Sequence, residues 1–262
     1  MISHRCVVVG AGGIGSAILP LVLRARMGAG TGLADVLVVD GDAYERKNIQ
    51  RQQFPLAFIG MNKALAQKEK TKAALGLAIR CEETYITEVN IDRVLPSPSP
   101  GEGIVVFSGV DNHRCRWLLS QWAQRRMEKH RDACVLLVTG GNDKWDGNVH
   151  AYGRWMDMER QRMVGIGRPM EDRHPEINKA NMENSREGLS CQEVLLLEGG
   201  EQTMAANYMA AALMFAIYQT AMHNPRALEG LEETYFDCLS FGVNTVRSGK
   251  ENELTLGGVP AE

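Results

Sequence analysis

The 262-residue sequence predicts an α/β fold, a mostly parallel sheet with helices on both faces, closed by C-terminal antiparallel strands. Three observations predict it. Short unbroken runs of β-branched and aliphatic residues recur at Val7–Val9, Val36–Val39, Ile104–Phe107 and Val135–Val138, the pattern of strands buried on both faces. Stretches of helical composition alternate with them, which argues for a parallel sheet covered on both sides. The first run breaks into Gly10-Ala-Gly12-Gly13-Ile-Gly15, a glycine loop between a strand and a helix.

Taken in order, Ile18, Leu19, Leu21, Val22 and Leu23 give the first helix, packed on the first strand. A polar loop from Asp40 to Gln53 follows the second strand. Residues 62–77, rich in Ala, Lys and Gln, read as a helix, and Thr84–Thr87 as a weaker strand. Pro96-Ser-Pro-Ser-Pro100-Gly101 can only turn. Beyond the strand Ile104–Phe107, a helix spans Asn112–His130, and Val149–Tyr152 adds a strand after Val135–Val138. Residues 157–190 show no strong period and carry the breakers Gly165, Gly167, Pro169 and Pro175, so a mobile crossover loop is expected there. A helical pattern from Gln192 to Met222, interrupted at Gly199-Gly200, precedes closing strands at Tyr235–Phe241 and Val243–Val246. No internal repeat is present, and residues 1–262 read as a single domain.

Composition narrows the function classes. Hydrophobic residues at 44% and charged residues at 23% suit an ordinary globular protein, and a net charge of −3 gives no general attraction to nucleic acid or anionic membrane. No apolar stretch is long enough for a membrane span, and no signal segment is recognised, so a cytoplasmic protein is expected. The six cysteines, Cys6, Cys81, Cys115, Cys134, Cys191 and Cys238, form no C-x-x-C pair. Neither a disulfide framework nor a structural zinc is expected.

The residues around the glycine loop carry the chemistry. Gly10, Gly12 and Gly15 let backbone approach a phosphate, while the helix N-terminus offers amide donors. Asp40, at the end of the second strand, is placed to accept hydrogen bonds from ribose hydroxyls. Both features serve NAD and ATP equally. The run Asp40-Gly-Asp42 through Asn48, Arg51 and Gln52, with Lys63 beyond, decides between them by bringing cations to the phosphate side. A triphosphate needs that neutralisation and a dinucleotide reductase does not. Asp111-Asn112, directly after the strand at 104–108, puts a carboxylate at the same sheet edge, where it can hold magnesium. Each charged residue alone is more simply a solvated side chain; their shared placement at strand ends is the argument.

Together these motifs resemble the superfamily of ubiquitin-activating enzymes and the ThiF and MoeB adenylyltransferases. The resemblance rests on Gly10-Ala-Gly12-Gly13-Ile-Gly15-Ser16, Asp40-Gly-Asp42, Asn48-Ile-Gln-Arg51-Gln52, Gly60-Met-Asn-Lys63, and Asp111-Asn112 with Arg116, over the first 120 residues or so. It implies a Rossmann-like fold and ATP-dependent adenylation of the C-terminal carboxylate of a ubiquitin-like protein with a Gly-ending tail. By the same resemblance Asp40 binds ribose, and Asn48, Arg51 and Lys63 hold the triphosphate. Gln52 supports that box, Asp111 binds Mg2+, and Asn112 and Arg116 complete the nucleotide site. A homodimer and a conjugating enzyme as a further partner are also implied, with an antiviral or plasmid-borne conjugation cluster as one setting.

Part of that superfamily passes the activated carboxyl to a cysteine. Cys6, Cys134 and Cys238 lie in apolar patterns expected to be buried, and free cysteine is more often inert than nucleophilic. Cys191 follows the polar segment 184–190 and opens a helical run, where amides and the helix dipole favour a thiolate. It is the expected thioester cysteine. The sequence also departs from the pattern: zinc-binding cysteine pairs are missing, and only a few residues precede the first strand, so an arginine that relatives supply from an N-terminal helix would come from elsewhere. Two other readings stay open, a dinucleotide-dependent oxidoreductase and a non-catalytic dimeric scaffold presenting the partner.

Overall fold

Strands whose alternate residues are all apolar have two faces to bury, and the chain supplies a helical layer for each. The computed structural model describes residues 2–30, 35–95, 97–98, 101–178 and 202–248. Its elements are β1 (His4–Val9), α1 (Gly13–Gly28), β2 (Val36–Val39), α2 (Lys63–Leu75), β3 (Arg80–Glu82), α3 (Ile91–Val94), β4 (Gly103–Ser108) and α4 (His113–Lys129). They continue with β5 (Cys134–Asn142), β6 (Asp146–Asp157), β7 (Arg162–Ile166), α5 (Met170–Arg173), α6 (Met204–His223), β8 (Leu231–Asp237) and β9 (Gly242–Arg247).

The strands form one mixed sheet in the order β3-β2-β1-β4-β5-β6-β8-β9, with β7 paired to β6 beside β8. Strands β1 to β5 are mutually parallel and the rest pair antiparallel. This is the expected Rossmann-like sheet with antiparallel closure. On one face Cys6, Val8, Val38, Val105, Phe107 and Leu136 pack against α1 and α6. On the other, Val7, Val9, Leu37, Ile104, Val106 and Val135 meet Leu118, Leu119 and Trp122 of α4. Each aliphatic side chain so buried contributes about 1.5–3 kcal/mol, which is why these short strands hold both layers.

Helix starts follow local chemistry. The Asn62 side chain accepts the Leu65 N–H at 3.1 Å to begin α2, Asn112 accepts the Cys115 N–H at 2.8 Å to begin α4, and Thr203 caps α6. In α6 the small residues Ala206 and Ala210 are fully buried, which brings the helix close to α1.

Three expectations are corrected. The third strand lies at Arg80–Glu82 and not at Thr84–Thr87, because the four-residue β2 sets where pairing can occur and Asp40 N–H on Glu82 closes the ladder at 3.2 Å. The loop expected at 157–190 is not continuous loop over its described part: residues 162–166, 170–173 and 175–177 are strand or helical turn, and residues 179–190 lie outside the described residues. The chain runs to Asp157 in β6, turns through Gln161 in the left-handed region, and returns as β7 with Val164 and Ile166 inward. The strand reads Arg-Met-Val-Gly-Ile, with Met163 and Val164 adjacent and a glycine before Ile166, so it shows no clean apolar–polar alternation. Finally, Cys238 lies just past β8 and is part-exposed, where burial was expected.

Candidate active site

The strand order reverses between β1 and β4, and the chain leaves their carboxyl ends in opposite directions. Such a switch point opens a crevice in this architecture. Here it is a cleft of about 890 Å³ walled by the glycine loop, the ends of β2, β4 and β5, and, farther along, β6, β8 and β9.

The glycine loop is sterically specified. Gly10 has φ +84° and stands against the Gly109 carbonyl, and a Cβ on Gly15 would sit 1.7 Å from the Gly10 oxygen. Gly13 packs directly under Asn207 of α6, and Gly12 lies beside Gln52. No side chain caps α1, so its first-turn amides open onto the cleft that Gly12, Gly13 and Ile14 line.

Asp40 braces this loop. One carboxylate oxygen accepts the Ala11 N–H at 2.6 Å, the other accepts the Asp42 N–H at 2.8 Å, and its backbone carbonyl takes the Asn62 amide at 2.9 Å. Burial pushes its pKa above the usual carboxylate range, against the pull of Lys63 and the two amides. It still lines the cleft, and each oxygen keeps a second lone pair. Asp42 accepts from Lys63 Nζ at 3.0 Å and from the Tyr85 hydroxyl. Burial would raise the Asp42 carboxyl, but Tyr85 and Lys63 together hold it below its ordinary value. Lys63 opens α2 with its side chain only 10% exposed, so its ammonium is held at the cleft and not free in solvent.

The other expected residues divide into two groups: Asp111, Asn112 and Arg116 line the cleft, whereas Asn48, Arg51 and Gln52 are not among its lining residues. Asn48 is buried in a short 3-10 turn, Arg46–Gln50, where its side chain accepts the Glu45 N–H at 2.9 Å. It shapes the turn that delivers Arg51 and Gln52. Arg51 donates to Gln202 Oε1 at 2.7 Å, and its carbonyl takes the Asn207 amide at 3.3 Å. Burial lowers its pKa, and the nearby Asp111 charge opposes that. Gln52 is buried, and its Oε1 has no partner among the described residues. Asp111 lines the opposite wall, part-exposed, and Asn112 beside it caps α4. Arg116 donates twice to the Val110 carbonyl, at 3.2 and 3.1 Å, with its guanidinium over Gly141.

Among the described residues, no three His, Cys, Asp or Glu side chains gather to hold a metal by themselves. Asp111 fits a magnesium ion only with phosphate oxygens completing the shell, the usual arrangement for that ion. Cys191 lies outside the described residues, as does the rest of 179–201.

The sequence reading missed Tyr85, Gln202 and Asn207. Tyr85, which lines the cleft against Gly41, fell within a stretch read as strand. Asn207, fully buried in an alanine-rich helix, carried a usable signal, a lone amide among apolar residues. It also missed the far wall, where Asn148, Tyr235, Asp146 and Asp237 line the cleft.

Fold and cleft together define a Rossmann-like α/β protein with a glycine-loop site at its switch point. More specifically, residues 2–184 match the ThiF family, and the chain belongs to that family. No curated protein sequence matches significantly. Among solved structures, E. coli MccB with ATP superimposes with a TM-score of 0.59 at 17% identity, over 94% of this chain and 64% of that one. MccB with AMPCPP and MccA gives 0.59 at 15% identity, over 94% and 64%. The microcin C7 biosynthetic enzyme MccB with N-formylated MccA gives 0.56 at 16%, over 97% and 67%. At these identities the likeness establishes the fold, and the chain spans 64% of the length of the first of these structures. No helix among the described residues is long and apolar enough to cross a membrane.

Proposed function

We propose that this protein adenylates the C-terminal carboxylate of a ubiquitin-like protein with a Gly-ending tail, using ATP and Mg2+. One observation carries the reading: a single cleft holds uncapped helix amides and Lys63 at one end and continues past Asp111 and Arg116 to a separate polar wall. That is room for a nucleotide and a second reactant side by side. The solved structures of MccB with ATP, and with AMPCPP plus MccA, support such a pairing in this fold.

The α1 amides, Lys63 and Arg51 would meet the charge of the phosphates, and Asp40 the ribose. Asp111 would hold Mg2+ with phosphate oxygens, and the ion would supply charge neutralisation there. One oxygen of the tail carboxylate forms a bond to the α-phosphorus. The bond from that phosphorus to the bridging oxygen breaks, and pyrophosphate leaves with the electron pair. No proton moves, so catalysis is positioning and charge stabilisation. In a second step the Cys191 thiolate would attack the acyl carbon of the adenylate and expel AMP, leaving a thioester. A homodimer, a conjugating enzyme and a cytoplasmic site of action belong to the same proposal.

An oxidoreductase would leave Arg51, Lys63 and Asp111 without a task, and a scaffold would need none of them. Exchange of labelled pyrophosphate into ATP separates the readings. Exchange that appears only with the ubiquitin-like protein is expected. No exchange together with tight NAD binding would refute adenylation, and no exchange with no nucleotide bound would favour the scaffold.

A further inference from the structure

Strand β8 carries a bulge: pairing to β9 passes from Leu231 with Arg247 to Glu233 with Val246, leaving Glu232 extra. Two consecutive glutamates are thereby both buried, Glu232 at 2% and Glu233 at 0% exposure. Adjacent buried carboxylates persist only with full compensation. Glu232 accepts from Arg168 at 2.7 Å and from Arg173 at 3.3 Å. Glu233 accepts from four donors: Arg173 Nε at 2.6 Å, His174 Nε2 at 2.9 Å, the Tyr235 hydroxyl at 2.6 Å, and the Asn148 amide.

The last two donors matter for the cleft, because Asn148 and Tyr235 line it. An ionised carboxylate can only accept, so Asn148 must turn its NH2 toward Glu233. Its carbonyl oxygen then faces the other way, over Gly141, where the Arg116 guanidinium also stands. The carboxylates of Asp146 and Asp237 line the same wall. Asp237 already accepts the Leu239 and Ser240 N–H groups at 2.7 and 3.1 Å, as an acceptor-only group must. Burial alone would raise the Glu233 carboxyl, but the bonds from His174, Tyr235 and Asn148 outweigh it and bring the pKa to about 2. Four donors converging on the two Glu233 oxygens leave no acceptor for a carboxyl proton, so the amide has one orientation.

We propose that Glu233 is a positioning residue that fixes the Asn148 carbonyl oxygen toward the cleft, making the wall beyond Arg116 a row of acceptors that binds the incoming peptide through its N–H groups. This deepens the adenylation reading and rests on it. The ligand class follows from the chemistry: an extended peptide segment next to the activated carboxylate, gripped by backbone donors whatever its side chains.

The test uses three probes measured by calorimetry: AMP, an N-acetyl-pentaglycyl-sulfamoyl adenosine, and its N-acetyl-pentasarcosyl counterpart, whose five tail residues carry no N–H groups. Five extended residues span roughly 17 Å, long enough to pass Arg116 and enter the far part of the cleft. Wild-type protein should bind the pentaglycyl probe about tenfold more tightly than the sarcosyl one, the worth of one or two neutral hydrogen bonds. Glu233→Gln, which can donate and so lets Asn148 invert, should shrink that ratio to about twofold while leaving AMP affinity unchanged. If Glu233→Gln does not fold, Asn148→Ala gives the same comparison without disturbing the buried charge. A ratio kept in the folded variant, or one lost only in step with AMP affinity, overturns the proposal. Wild-type protein that binds AMP but shows no glycyl preference overturns it and leaves adenylation standing. Wild-type protein that binds no probe overturns both.

Discussion

Asp40→Asn tests whether this residue is a brace, a ligand contact, or both. In the folded protein its two oxygens accept the Ala11 and Asp42 amides at 2.6 and 2.8 Å, at a site only 8% exposed. An asparagine keeps the shape but must offer an NH2 to one of those amides, setting donor against donor. The variant loses one charge-assisted bond, about 1.5–3 kcal/mol, and leaves a buried donor unpaired. Relief from burying a charge, whose cost shows in the raised Asp40 pKa, offsets part of this. The net expectation is a loss of about 2–3 kcal/mol, or roughly 4–12 °C in Tm for a chain this long. Urea denaturation should give a lower midpoint with an unchanged slope. ATP affinity should fall as well, because the amides of the glycine loop lose their anchor. A Tm within about 2 °C of wild type, with ATP affinity abolished, would refute the bracing role and leave Asp40 as a ribose contact alone.

Four further expectations follow from the site. Arg51→Ala should keep Tm within a few degrees yet slow pyrophosphate exchange about a hundredfold, and a misfolded variant would show the residue to be structural. His174→Gln should destabilise the protein in a pH-dependent way. The Glu233 hydrogen bond raises the His174 pKa above 6.5, so that stability is fully present below 6.5 and is lost as pH climbs through the raised value. Glu233, brought down from 4.5 to about 2, contributes above 4.5 and loses that contribution as pH falls toward 2. The clasp is thus strongest between 4.5 and 6.5; His4, His113 and His150, all lowered by burial, act with the opposite sign. The readout is therefore the difference between wild type and variant, and a difference flat across about pH 5–9 would refute it. Elemental analysis should find well under one zinc per chain, with stoichiometric zinc overturning the expectation. With ATP and partner, a thiol-sensitive adduct should form and be lost in Cys191→Ala with exchange intact; persistence of the adduct in that variant would point to another cysteine.

Where the sequence was readable, the reason is locality. The loop Gly10–Gly15, the Asp40–Asp42 strand end and Lys63 sit within short motifs whose backbones lock onto one another, as Lys63 N–H on the Asp42 carbonyl at 2.8 Å illustrates. Asn48 and Asn112 have local work that spacing alone does not separate from a nucleotide contact: Asn112 is the N-cap of α4, and Asn48, at the third position of its turn, accepts the N–H of the cap residue Glu45. Gln202 reaches Arg51 from 151 positions away, and no spacing rule reports such a contact. The pair Glu232-Glu233 was visible as two carboxylates, but its burial depends on a bulge whose existence is decided by pairing with β9. Alternation would have put one of the two in solvent.

The described cysteines bear on how the two half-reactions divide. Thioester formation needs a thiolate within reach of the adenylate. Burial pushes Cys6 and Cys115 up to about 12, and raises Cys134 as well. Cys81 in β3 and Cys238 after β8 are raised too, first by burial and then by carboxylates around them. Cys115 is the instructive case. It lies in the first turn of α4 beside Asp111 and lines the cleft, the position from which a thiol would attack. Yet its side chain is turned into the core with Leu118 and Leu119, and the Arg116 charge does not offset the cost of burying a thiolate there. All five of these thiols are shifted away from the thiolate form. The thioester step proposed above therefore rests on Cys191, which lies outside the described residues.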